Sequence, residues 1–391
     1  MATRYDVDRD TLASQLSGEP PYRVAQVWDG LYRRNVEIEA MTDLPRALRS
    51  RLAEALPPAL SLAREQVSDG GTTVKLLLAL PDGHAIETVL MHYPARTTVC
   101  VSTRAGCAMA CGFRATGQAG FDRQLTAGEI LEQIVWARRR SASRRVSNVV
   151  FMGMGEPLVN YDAVWSAVER LHGAMGVSAR HLTLSTVGIV PGIRRLVGER
   201  LPVNLAVSLH AANDGLRDRL VPVNRRYPLA ALHAACEDYL RAKSRRLSFE
   251  WALIDGVNDR PSDAAELAAY ARPLRAHVNL IPLNPTPGFA TRGTPPCRRA
   301  RVPRPRAGAG RQRDRAPQPR HRHLGRVRPA RGRGQRTITV VRSSALIALL
   351  SRSPRRTAAP GQTTQRSISP ATVAAAPTTD TPPDAARFAA R

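Results

Sequence analysis

The sequence predicts an α/β protein. A partial (βα)6 barrel follows a small helical and β-hairpin domain and precedes a disordered Arg/Pro-rich tail. Three observations carry this reading. Short β-branched or apolar runs recur six times, as "TVCVST", "SNVVFMGM", "HLTLSTV", "NLAVSLH", "LSFEWALI" and "HVNLIPL". Helical patterns such as "TAGEILEQIVWARRR" and "PSDAAELAAYARPLRA" stand between most of them, and alternation of this kind calls for a parallel sheet that right-handed crossovers curl toward a barrel. Past "PTPGFATRGTPP" the periodicity stops, and Arg, Pro, Gly and Ala give way to Ser, Thr, Pro and Ala.

Taken in order, the chain opens with apolar residues at helical spacing in "PYRVAQVWDGLYRR" and "DLPRALRSRLAEAL". Two alternating segments, "TTVKLLLAL" and "HAIETVLM", are joined by "PDG", a turn signal between strand patterns. These make a helical plus hairpin domain over 1–95, read as RNA-binding-like. The barrel core runs over 96–290, its first helix opened by Thr126 and Glu129 in capping-box spacing. Residues 291–391 form the basic tail. Chemistry in such barrels collects at the C-terminal ends of strands, where this chain has "GMGEP", "STVG", "SLH" and "PLNP".

A chain of 391 residues buries enough core to fold without staples. Five cysteines, an odd number, behind a polar and charged opening, "MATRYDVDRDTL", fit a reducing cytoplasm better than a disulfide framework. No apolar run reaches the roughly 20 residues that span a bilayer, so no membrane partner is expected. The net charge of +26 points to a polyanionic partner, but residues 292–391 hold 23 Arg against 3 Asp with no Lys or Glu. That tail reads as a solvated basic segment, as an RNA-binding arm, or as the product of a shifted reading frame.

The stretch "CAMACGFRATGQAGF" follows the first barrel strand. Cys107 and Cys111 stand four apart, and Arg114 occupies the place where C-x3-C-x2-C spacing would put a third cysteine. Three such cysteines hold a [4Fe–4S] cluster by three irons; two alone are equally read as small buried hydrophobes. The surroundings favour the first reading. "TVCVSTRAGCAMACGF", "ATGQAGF", "VVFMGMGEPL", "LTLSTVGIVPGI", "AVSLHAANDGLRDRLVPVN", "DGVND" and "NLIPLNPTPG" together resemble the radical S-adenosylmethionine (SAM) enzymes. More closely, they resemble the RlmN-type RNA adenine-C2 methyltransferases, over residues 20–296.

The resemblance implies roles residue by residue. Cys107 and Cys111 match cluster ligands. Gly155 and Glu156 match the SAM-binding turn, and Ser185, Ser208, Leu209, His210 and Asn284 match further SAM contacts. Cys100 matches a cysteine that resolves the covalent enzyme–RNA intermediate, and Glu87 a proton acceptor. Without the resemblance Glu87 is an outward-facing strand residue, Cys100 a core cysteine, and Cys236, in "LAALHAACEDYL", simply core. In the family one SAM methylates a cysteine near the C-terminus, and a second is cleaved reductively at the cluster to activate that methyl for addition to adenine C2. The substrates implied are 23S rRNA and tRNA, with the base unstacked into the pocket. An electron donor such as flavodoxin or ferredoxin, a monomeric state and a cytoplasmic location are implied as well.

Two departures from the family pattern stand out. Arginine cannot be a thiolate ligand, and one base change, TGC to CGC, converts Cys to Arg. The methyl-carrying cysteine belongs in a segment like "AACGQL", which this chain lacks; Cys297, in "PPCRRA", does not resemble it. Gly325 to Ala330, "GRVRPA", can be encoded so that the adjacent frame reads Ala-Ala-Cys-Gly-Gln-Leu, which favours a frameshift between Pro296 and Gly310. The alternative to an active methyltransferase is a catalytically inactive homologue that keeps the fold and binds RNA or SAM.

Overall fold

The computed structural model describes residues 2–106, 109, 121–141, 144–283 and 292–294. The N-terminal helices are α1 (Arg9–Gln15), α2 (Tyr22–Asp29), which runs on into a π-helical turn at Gly30–Arg34, and α3 (Arg46–Ala55). Asp8 caps α1 by accepting from the Thr11 backbone N–H at 2.7 Å. Leu12, Val27, Leu31, Leu48 and Leu52 bury the inward stripes of these helices.

Strands β1 (Ser61–Ser68), β2 (Thr73–Ala79), β3 (Ala85–Tyr93) and β4 (Arg96–Cys100) pair as an antiparallel meander. The predicted hairpin is β2 and β3. It does not end its sheet, because β3 pairs directly with the first barrel strand, β4. A small ladder of β5 (Arg104–Gly106) with β6 (Phe121–Gln124) follows. Then come α4 (Ala127–Arg140), β7 (Asn148–Phe151), α5 (Tyr161–Gly173), β8 (Leu182–Thr186), α6 (Val190–Gly198) and β9 (Asn204–Ser208). The last elements are α7 (Asp214–Leu220), α8 (Leu229–Lys243), β10 (Leu247–Leu253), α9 (Pro261–Ala271) and β11 (His277–Pro282). All six predicted barrel strands are present, and the capping box at Thr126 and Glu129 forms at the start of α4.

The main sheet has nine strands in the order β1-β2-β3-β4-β7-β8-β9-β10-β11, parallel from β4 onward. Alternation divides each parallel strand between two faces. Val149, Phe151, Leu182, Leu184, Leu205, Val207, Phe249 and Trp251 pack outward in the hydrophobic core. The opposite, inner face carries Val150, Thr183, Ser185, Asn204, Ser248, Glu250, His277 and Asn279, all half-buried. The parallel strands are thus apolar toward the helices and more polar on the inner face.

Side chains lock the N-terminal elements onto the barrel. Arg170 of α5 donates to the carbonyls of Tyr5 and Asp6, and Asp6 accepts from the Gly128 N–H in the first turn of α4 at 2.8 Å. Arg138 of α4 donates to the Tyr32 carbonyl at 3.2 Å. Glu132 of α4, buried, accepts from the Ala59 N–H at 2.8 Å just before β1. Burial pushes the Glu132 carboxyl up to about 7, against the lowering effect of its backbone donors and of Arg4. A carboxyl raised in the folded state favours folding fully below its unfolded pKa, near 4.5, and loses that contribution as pH rises through 7. Urea titrations at pH 4 and pH 8 should therefore show wild type losing about 3 kcal/mol relative to Glu132→Gln as pH rises. Parallel pH profiles for the two proteins would refute this.

Candidate functional site: the strand ends of the barrel

The turn after β7, "GMGEP", is strapped to the segment leaving β4. The Gly153 N–H donates to the Val101 carbonyl at 3.0 Å, the Met154 N–H to Ser102 Oγ at 3.0 Å, and the Thr103 N–H to the Met154 carbonyl at 2.8 Å. Contact is so close that only glycine fits. A Cβ at Gly153 would lie 2.7 Å from the Val101 carbonyl oxygen, and one at Gly155 2.7 Å from Arg104 Cβ. Gly155 also has φ +100°, outside the range of L side chains. Gln133 of α4, wholly buried, completes the clamp: it accepts from the Ser102 N–H and Thr88 Oγ1 and donates to the Ser102 carbonyl.

Glu156 is buried. Its carboxylate accepts from the Val187 N–H at 2.8 Å and the Leu158 N–H at 3.2 Å, tying the turn after β7 to the turn after β8. In that second turn Thr186 Oγ1 accepts from the Gly188 and Ile189 N–H groups. Ser185, on the inner face of β8, donates to the Phe151 carbonyl at 2.8 Å.

At the end of β9 and just past it, Ser208, Leu209 and His210 are all buried, and His210 has a left-handed backbone, φ 58°. His210 Nδ1 faces the Ala252 backbone N–H at 2.9 Å. A backbone N–H can only donate, so Nδ1 accepts and the imidazole carries its proton on Nε2. Asn258, of "DGVND", is buried with every polar atom engaged: Nδ2 donates to the His210 and Ala252 carbonyls, and Oδ1 accepts from the Ile254 N–H. The guanidinium of Arg217 is buried beneath these turns. It donates to the carbonyls of Val187 at 2.6 Å and Leu209 at 3.1 Å and to Asn224 Oδ1 at 2.7 Å.

Glu87 and Cys100 come together. Val89 is the cross-strand partner of Cys100, and Glu87 lies two residues before Val89 on β3, so all three share the inner face. Cys100 packs in an apolar cluster with Val89 and Met91, flanked by Val150 and Met152. Read without a family, Glu87 would face outward; the structure buries it at 6% exposure. The reason is its partner: Lys75 of β2 forms an ion pair with it, itself buried. Burial raises the Glu87 carboxyl above its usual range, and the Lys75 ammonium opposes that rise. Cys236 is core as expected, its thiol pushed up to about 12 by burial.

Cys107, Cys111, Arg114, Asn284 and Cys297 lie outside the described residues, as does the tail from 295 onward. Sequence reasoning passed over Lys75, Gln133, Arg217, Glu250, Asn258 and Asn279. Arg217, Asn258 and Asn279 did carry a signal, each standing in a motif that the resemblance had singled out.

The fold and its strand-end turns define the class first: residues 101–268 match the family model of the radical SAM superfamily. The chain is 52% identical over 300 residues to the probable dual-specificity RNA methyltransferase RlmN of Chloroflexus aurantiacus, covering 73% of this chain and 80% of that one. The RlmN protein of Moorella thermoacetica is 49% identical over 314 residues, covering 76% and 88%. A crystal structure of a radical SAM methyltransferase from Sphaerobacter thermophilus superposes with a TM-score of 0.75 at 49% identity, covering 77% of this chain and 91% of that one. This chain belongs to the RlmN family of radical SAM RNA methyltransferases, whose cofactors are a [4Fe–4S] cluster and SAM.

Two substitutions test the framework. Gly155→Ala should cost about 1–3 kcal/mol in urea denaturation, through a strained backbone and the Arg104 clash. Arg217→Leu strands the buried Val187 and Leu209 carbonyls and should cost about 3 kcal/mol or more. Wild-type stability in either variant would contradict the role assigned to that residue.

Proposed function

We propose that this barrel is built for methylation of adenine at C2 in 23S rRNA and tRNA. The observation that carries the reading is the shared face of Glu87 and Cys100. Two residues from different segments, matched separately to a proton acceptor and a resolving cysteine, stand on paired strands and share one face of the sheet. Residues 1–95 are proposed as the RNA-binding-like domain, 96–290 as the catalytic core, and 291–391 as a tail read out of frame. The protein would act as a cytoplasmic monomer with a flavodoxin or ferredoxin as electron donor. No described helix is long and apolar enough to cross a membrane.

The inner face suits SAM. It is lined by hydroxyl, amide and carboxylate groups, and the Asn279 Oδ1 is buried with no partner among the described residues. Gly155, Glu156, Ser185, Ser208, Leu209, His210 and Asn284 are the residues proposed to hold it. Bound SAM supplies the methyl group. For Glu87, burial raises the carboxylate's affinity for a proton, as a proton acceptor requires, and the paired Lys75 ammonium opposes that rise. Cys100, at the end of β4, is the residue proposed to help release the product from the covalent enzyme–RNA adduct.

The donor set does not suit the cluster. Cys107 and Cys111 supply two thiolates, but the third place holds Arg114, a permanent cation without a ligand lone pair. With the methyl-carrying cysteine also lacking, a second reading follows: this chain keeps the scaffold of the family's reaction without its turnover. Anaerobic reconstitution should leave wild type with no stoichiometric iron and bring Arg114→Cys to about four irons per chain. Neither protein should methylate adenine in transcribed 23S rRNA under reducing anaerobic conditions. Product above background from wild type would overturn the second reading. Arg114→Cys left without iron would remove the proposed cluster site.

A further inference from the structure

Among the inner-face groups, one carboxylate has no role in the reading above. Glu250 of β10 is the register partner of Ser208 on β9 and of Asn279 on β11, so the three form a row across the inner face. Asn279 Nδ2 donates to Glu250 Oε2 at 2.8 Å, and Ser248 Oγ lies 3.2 Å from Oε1. Because the Asn279 NH2 donates to Glu250, the amide oxygen is turned away from it. That Oδ1 is buried and has no hydrogen-bond partner among the described residues. A buried acceptor left unpaired costs about 1–3 kcal/mol, which a pure staple between β10 and β11 would have no reason to incur.

The row therefore presents two carboxylate oxygens, each with one donor already in place, and one amide oxygen that lacks a donor. Acceptors gathered in this way repel a carboxylate or phosphate and suit a ligand with neighbouring hydroxyl groups. We propose that Glu250 and Asn279 recognise the ribose diol of the adenosyl group of SAM. The proposal rests on the reading that Ser208 belongs to the SAM site. Glu250 accepts from the ribose hydroxyls, and Asn279 orients that carboxylate while offering its own oxygen to the same sugar.

The test is binding by the full chain, measured calorimetrically with S-adenosylhomocysteine and its 2′-deoxy and 3′-deoxy analogues, none of which needs a cluster to bind. Wild type should bind S-adenosylhomocysteine and lose about tenfold or more for at least one deoxy analogue. Glu250→Gln and Asn279→Ala should weaken S-adenosylhomocysteine by a similar factor while binding that deoxy analogue about as well as wild type does. Equal wild-type affinity for all three ligands overturns the proposal without any variant having to fold. Parallel weakening of every ligand in both variants also overturns it, because that is the mark of a structural staple. Failure of wild type to bind S-adenosylhomocysteine at all refutes the underlying SAM site instead.

Discussion

The site depends on one buried cation. Parallel strands end in turns whose last carbonyls have no neighbour strand to pair with, and such groups are costly when buried. Arg217 gathers them: its guanidinium reaches the carbonyls of Val187 after β8 and of Leu209 after β9. The fork geometry of arginine makes this possible, since one planar group serves several acceptors at fixed angles. Asn224 continues the network to Asp214 and Asp218, which places negative charge within reach of the buried positive one. Glu156 does the complementary work from the other side, offering acceptor oxygens to N–H groups of two turns. A cation for carbonyls and an anion for amides between them hold the strand-end turns in one arrangement.

The barrel strands were legible because burial on the helix side imposes β-branched and apolar residues at alternate positions, and the capping box because its chemistry is local. Other elements left little trace. Strand β1, "SLAREQVS", is exposed along most of its length at the sheet edge, so no alternation marks it. The β5–β6 ladder is too short for periodicity, and its two halves lie far apart in the chain. Side chains that act across the fold were the least visible. Arg217 in "GLRDRL" reads as one more solvated helical arginine, and Glu250 and Lys75 read as outward strand residues. Their burial is decided by partners on other strands, Asn279 and Glu87, that no local window contains.

Lys75 and Glu87 form a buried ion pair within the hairpin, and β3 carries that hairpin into the barrel sheet through its pairing with β4. A buried ion pair repays its desolvation only in fixed geometry, and cross-strand neighbours in a single sheet supply that geometry. Continuity from β2 through β4 thus makes the position of Glu87 relative to Cys100 a matter of backbone register.

The β5–β6 ladder brackets the segment that carries Cys107, Cys111 and Arg114. Gly106 and Phe121 are register partners, so the fourteen residues from 107 to 120 begin and end at one fixed neck. The entropy of closing that loop is met by the neck and not by whatever the loop binds. Arg114 falls within the segment that this neck closes, while the described strands and helices of the barrel lie outside it.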